Sequence, residues 1–129
     1  MLGFRSTATL LRVSEARLHP LGFAVVRGRS MLPTLRDGDR LLVRYAATAR
    51  PGALVLARFA DGTLAVKRAA ERRTTSTGAA GWWLTSDNPD EGVDSRHRGA
   101  VPEPDVVAVV AARVWPPRVF RAPHSSRSW

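Results

Sequence analysis

Residues Ala53 to Ala70 read Ala-Leu-Val-Leu-Ala-Arg-Phe-Ala-Asp-Gly-Thr-Leu-Ala-Val-Lys-Arg-Ala-Ala. Two apolar runs, Ala53–Phe59 and Thr63–Ala70, flank Asp61-Gly62. Such a dipeptide between apolar runs predicts a β-hairpin, because glycine readily takes the positive φ that a tight turn needs. The same pattern continues outward. Phe23–Arg27 is a short β-branched run, Arg36-Asp37-Gly38-Asp39 a turn, Arg40–Tyr45 a strand and Arg50-Pro51-Gly52 another turn. Trp82–Thr85 and Val106–Trp115 read as further strands. Residues 71–80 are polar and contain glycine, which predicts an exposed loop. Ser86–Glu103, rich in Asp, Gly and Pro, predicts a long irregular segment. Residues 6–18 read as a short helix capped by Ser6 or Thr7, with Leu10, Leu11 and Leu18 as a thin apolar stripe and His19-Pro20 as its end. The expected fold is mostly β, a coiled, barrel-like antiparallel sheet with at most a short N-terminal helix. Residues 1–20 form an N-terminal segment and 21–115 a single β-rich domain. Residues 116–129 form a disordered basic tail.

A chain of 129 residues is one domain's worth, and 44% hydrophobic with 24% charged residues excludes wholesale disorder. The absence of cysteine excludes a disulfide scaffold, a thiolate zinc site, an iron–sulfur cluster and a cysteine nucleophile. The three histidines have no metal-ligand spacing, so neither metal nor cofactor is expected. No apolar run approaches the roughly 18 to 20 residues of a membrane span, and the N-terminus lacks a signal-peptide apolar region. The expectation is a cytoplasmic protein without an integral anchor, making at most weak contact with a membrane surface. The net charge of +9 lies mainly near the two ends: +4 within residues 1–30 and +3 within 116–129. That is a poor electrostatic footprint for nucleic acid.

Nineteen of the twenty basic residues are Arg, and Lys67 is the single Lys. An amine can lose its proton near neutral pH, which a guanidinium cannot. On a strand, Ala65, Lys67 and Ala69 share one face. Small apolar neighbours permit burial without a counter-charge, and desolvation lowers a Lys pKa from about 10.4 toward 7 or 8, the range of a general base. A Lys reaching solvent from an edge strand is the plainer alternative. Upstream, Gly28-Arg29-Ser30-Met31-Leu32-Pro33-Thr34-Leu35 ends a strand in Gly and places a hydroxyl beside backbone N–H groups. A nucleophile with an oxyanion site needs that arrangement; an ordinary serine turn has the same composition. In the long loop, Asp94 two residues before Arg96 suggests an Asp–Arg clamp that orders the segment.

Taken in order, Gly-x-Ser-Met-x-Pro-Thr-Leu from Gly28, Gly-Asp-x-Leu-Leu-Val from Gly38, Val-Lys-Arg from Val66 and Asp-Asn-x5-Asp-Ser-Arg-x-x-Gly from Asp87 resemble the type I signal peptidase family of Ser–Lys proteases. The resemblance runs from about Val25 to Val110. It implies a mostly-β fold, Ser30 as nucleophile and Lys67 as general base. Met31, Pro33, Arg68, Asp94, Ser95 and Arg96 match positions that support the site. The Ser30 backbone N–H is the implied oxyanion donor. Many bacterial members carry a Ser two residues before the nucleophile, where this chain has Gly28. A second donor is therefore a backbone N–H, with that of Gly28 a candidate, or water. Gly92 stands where the family often has a Ser that positions the Lys, and Ser86 where it usually has Gly. The typical N-terminal anchor and large insertion are missing. Short and Arg-rich, the chain resembles the nickel-type superoxide dismutase maturation proteases, which implies a precursor protein with a short N-terminal pro-segment as partner.

Other readings stay open. A self-cleaving repressor-type protease shares the dyad and fold. A basic module for nucleic acid or an anionic membrane surface needs aromatic residues interleaved with Arg, and Trp82-Trp83 have no basic neighbour nearer than Arg73. A Ser30/His97/Asp94 triad is conceivable on paper.

Overall fold

The computed structural model describes residues 8–10 and 20–119. The elements are β1 (Ala8–Leu10), β2 (Leu21–Val26), β3 (Arg40–Tyr45), β4 (Leu54–Arg58), β5 (Leu64–Thr74), β6 (Ala80–Thr85), α1 (Ser95–Arg98), β7 (Val101–Pro102), β8 (Val106–Trp115) and β9 (Pro117–Val119), with a 3-10 turn at Glu103–Asp105. They form one sheet in the order β1-β2-β3-β8-β4-β5-β6-β7, with β9 pairing β8 off this path. Every pairing is antiparallel. The mostly-β expectation holds. Among the described residues no helix is long and apolar enough to cross a membrane.

The hairpin that decides the fold forms as its sequence predicts. Val55 pairs Lys67 and Ala57 pairs Ala65. Gly62 has φ of 89°, and the Asp61 carboxylate accepts from the Thr63 N–H at 2.9 Å, which closes the turn. Its runs are apolar throughout because both faces are buried. Leu54, Leu56, Leu64 and Val66 enter one cluster with Met31, Leu35, Leu41 and Val43. Val55, Ala57, Ala65 and Ala69 enter a second with Phe59, Trp82 and Leu84. Lys67 continues the second face and is thereby taken into the interior.

Three expectations need correction. Ala8–Leu10, inside the expected helix, is a strand paired with Val26–Ala24 of β2. A free sheet edge offers the backbone groups of residues 8–10 partners. The rest of that stretch lies outside the described residues. Half of the expected loop at 71–80 is instead strand. β5 runs to Thr74 and pairs Arg72 with Trp82, leaving a turn only at residues 75–79. Its stabilising contacts are cross-strand: the Arg72 and Arg73 guanidiniums lie 4.6 and 4.0 Å from the Trp82 and Trp83 ring centres. Pro117–Val119, assigned to the disordered tail, pairs with β8 as β9. Residues 120–129 lie outside the described residues.

Candidate active site

The nucleophile candidate stands on the turn after β2. Met31 and Leu35, both fully buried, plug this turn into the first core cluster. The Leu32–Pro33 peptide is cis. The turn is gripped from below by the start of the long loop. The Asn88 N–H donates to the Ser30 carbonyl at 2.8 Å, and the Asn88 side chain to the Arg29 carbonyl at 3.1 Å. The Asp87 N–H points at the Met31 sulfur, 3.4 Å away. The Thr34 hydroxyl donates to Asp87 at 2.5 Å. Asp87 in turn receives both Nε and Nη2 of Arg68, at 3.1 and 2.6 Å, while Nη1 of the same Arg reaches the Gly52 carbonyl at 2.8 Å. The hydroxyl-bearing turn is thus tied to β5, the strand that carries Lys67.

Lys67 is 3% exposed. Burial lowers its pKa from the ordinary lysine value; the charge of Asp94 pulls it back up, and that of Arg96 adds to the lowering. Its Nζ donates to the Ser86 hydroxyl at 2.9 Å. Ser30 and Lys67 line one pocket of about 370 Å³, with Phe59, Ala65 and Val66 among its apolar walls. Gly92 closes its side. A Cβ there would lie 2.6 Å from the Ser30 Cβ and 3.0 Å from the Lys67 Nζ, so only glycine fits, and its φ of 80° suits glycine as well. Ser30 and Lys67, 37 positions apart in sequence, therefore both approach Gly92 in one pocket.

The Asp–Arg clamp forms. Asp94 is completely buried and accepts from Nε and Nη2 of Arg96 at 3.0 and 3.1 Å. It also accepts the backbone N–H groups of Ser86 and Arg96 at 2.8 and 3.0 Å. Burial opposes its ionisation, but these hydrogen bonds prevail and hold the carboxyl down to about 2. Asp94 also caps α1, with the His97 Nδ1 accepting the Asp94 N–H at 3.4 Å. That bond spends the ring nitrogen facing Asp94 on a helix cap, and His97 does not line the pocket, which removes the triad alternative. The Ser95 hydroxyl, buried, accepts the Leu84 N–H at 2.9 Å and docks α1 on β6.

One expected role is not supported. The Gly28 N–H is already donated to the Asp37 carboxylate at 2.8 Å, so it is no oxyanion donor in this structure. Pro33 is exposed and stands in the Ser30 turn, off the pocket lining. Ser86, Asp87, Asn88 and Thr34 were missed as site residues. The adjacent Asp87-Asn88 pair was a visible signal, but what it grips is set by residues far along the chain: Arg68, 19 positions away, and the turn at residues 29–34, more than fifty away.

A family model described as Peptidase S24-like matches residues 6–99, well over half of the chain. The chain belongs to the Peptidase S24-like family. The match covers the Ser30 turn, the Lys67 strand and the clamp, and makes the chain one of a serine-peptidase kind. No curated protein matches the chain. Among the described residues no group of His, Cys, Asp or Glu is arranged to hold a metal ion.

Proposed function

We propose that the protein is a serine endopeptidase with a Ser30–Lys67 dyad that processes the N-terminus of a precursor protein. The observation that carries this reading is the single lysine, buried, lowered in pKa and sharing a pocket with Ser30. Neutral Lys67 takes the Ser30 hydroxyl proton as Oγ attacks the scissile carbonyl, and the Ser30 N–H meets the oxyanion. The lysine ammonium then protonates the leaving amine. A water molecule, deprotonated by Lys67, releases the acyl group and restores Ser30. The resemblance to soluble maturation proteases supports a cytoplasmic precursor with a short pro-segment, nickel superoxide dismutase being the named candidate.

The family supports a second reading, a self-cleaving protease of the repressor type. The two separate in one experiment. The purified chain is incubated alone and with precursor proteins from its genome neighbourhood, and intact masses are followed. Cleavage of an added precursor supports processing, and loss of mass from the chain alone supports self-cleavage. Ser30→Ala abolishes either. Lys67→Arg keeps the charge, cannot deprotonate, and is expected to be as inactive as Lys67→Ala; an active Lys67→Arg would defeat the dyad.

A further inference from the structure

Lys67 is a long side chain in an apolar setting, and a general base needs its nitrogen held in one place. From the pocket side nothing can hold it, because Gly92 leaves no room for a side chain between Ser30 and Lys67. The hold comes from the opposite side. Ser86, only 8% exposed, offers its hydroxyl oxygen to the Lys67 Nζ at 2.9 Å. Ser86 is itself fixed, because its N–H donates to the fully buried Asp94 at 2.8 Å and Asp94 is gripped by Arg96. The result is a continuous chain from Arg96 through Asp94 and Ser86 to Lys67.

We infer that Ser86 is the positioning residue of the dyad, accepting one N–H of Lys67 so that the lone pair of the neutral amine is turned toward Ser30. This rests on the reading of Lys67 as the base. In this chain Gly92 has no room for a side chain beside Ser30, and the hydroxyl that reaches Lys67 is that of Ser86. Asp94 is the carboxylate facing Lys67 and Arg96 the nearby guanidinium, with Arg27, Arg29, Glu91 and Arg98 the other charged residues lining the pocket.

The single lysine permits a test that needs no substrate. Protein labelled with ¹³C at lysine Cε gives one side-chain signal, whose titration reads Lys67 directly. In Ser86→Ala the ammonium loses an acceptor, and the titration midpoint is expected to fall by about one pH unit. Activity is read on a peptide that the wild-type protein cleaves, chosen from a mixed-sequence library. Ser86→Ala is expected to lower kcat about 10- to 100-fold with KM unchanged, although its Lys67 is more readily neutral. Ser86→Thr, which keeps the hydroxyl, restores most of it. An unmoved titration in Ser86→Ala overturns the proposal, whether or not activity falls; misfolding would instead expose the amine and raise its midpoint toward that of a free lysine. Unchanged kcat overturns it equally. Cleavage that survives Ser30→Ala, or a wild-type protein that cleaves nothing, defeats the dyad reading instead, while the titration still decides whether Ser86 holds Lys67.

Discussion

Two Arg–Asp pairs tie together the segments around Ser30 and Lys67, and the same chemistry does different work in each. Arg68–Asp87 joins β5 to the loop across 19 positions, with the two side chains 30% and 15% exposed. Arg96–Asp94 is local, two residues apart, yet its carboxylate is completely buried while its guanidinium is 40% exposed. The first pair registers two distant pieces of backbone, so that the Ser30 turn and the Lys67 strand face each other. The second makes it tolerable to bury a carboxylate that two backbone N–H groups need. Partner distance thus separates a pair that joins distant backbone from one that satisfies local backbone more clearly than bond length does.

The largest effect is expected from removing the buried carboxylate. Asp94→Ala leaves the N–H groups of Ser86 and Arg96 without acceptors and removes the cap of α1, which predicts a loss of about 3 kcal/mol in urea unfolding. A loss under about 1 kcal/mol would put the two pairs on one footing. The next effect is in acid. The Asp94 carboxyl titrates at about 2 when folded and in the ordinary range near 4 when unfolded. The resulting stabilisation of about 2 kcal/mol is fully present above pH ~4 and disappears as pH falls through about 2. Asp94→Asn should flatten that part of the stability–pH curve; an unchanged curve would show that another carboxylate governs it. The smallest effect on stability belongs to the other pair. Arg68→Gln is predicted to cost about 1 kcal/mol or less, because its partner keeps solvent and the Thr34 hydroxyl. Cleavage should nonetheless fall, because the Ser30 turn loses its tie to β5. Stability and activity falling in proportion in Arg68→Gln would erase the distinction.

The hairpin was legible because its signals are local: two apolar runs and an Asp-Gly turn need no knowledge of the rest of the chain. The strand at Glu71–Thr74 was not, since its apolar partners Trp82 and Trp83 lie across the sheet and its own residues are polar. The short strands β1 and β9 were hidden for a similar reason. They exist because an adjacent strand offers hydrogen bonds, and residues 8–10 and 117–119 carry no strong β pattern of their own.

The same division runs through the site. Lys67 stood out by composition, as the one amine among nineteen guanidiniums, and Ser30 by its place in a turn after a strand. The Asp94–Arg96 clamp was readable from a spacing of two. Identity and near spacing are properties of the chain, and sequence determines them alone. What only the tertiary structure decided is which groups share a point in space. It assigned the Gly28 N–H to Asp37, made His97 part of a helix cap, and set the Ser86 hydroxyl against the Lys67 amine. Each of these is a competition among several donors and acceptors within reach, and folding settles it through burial and register, neither of which the order of residues states.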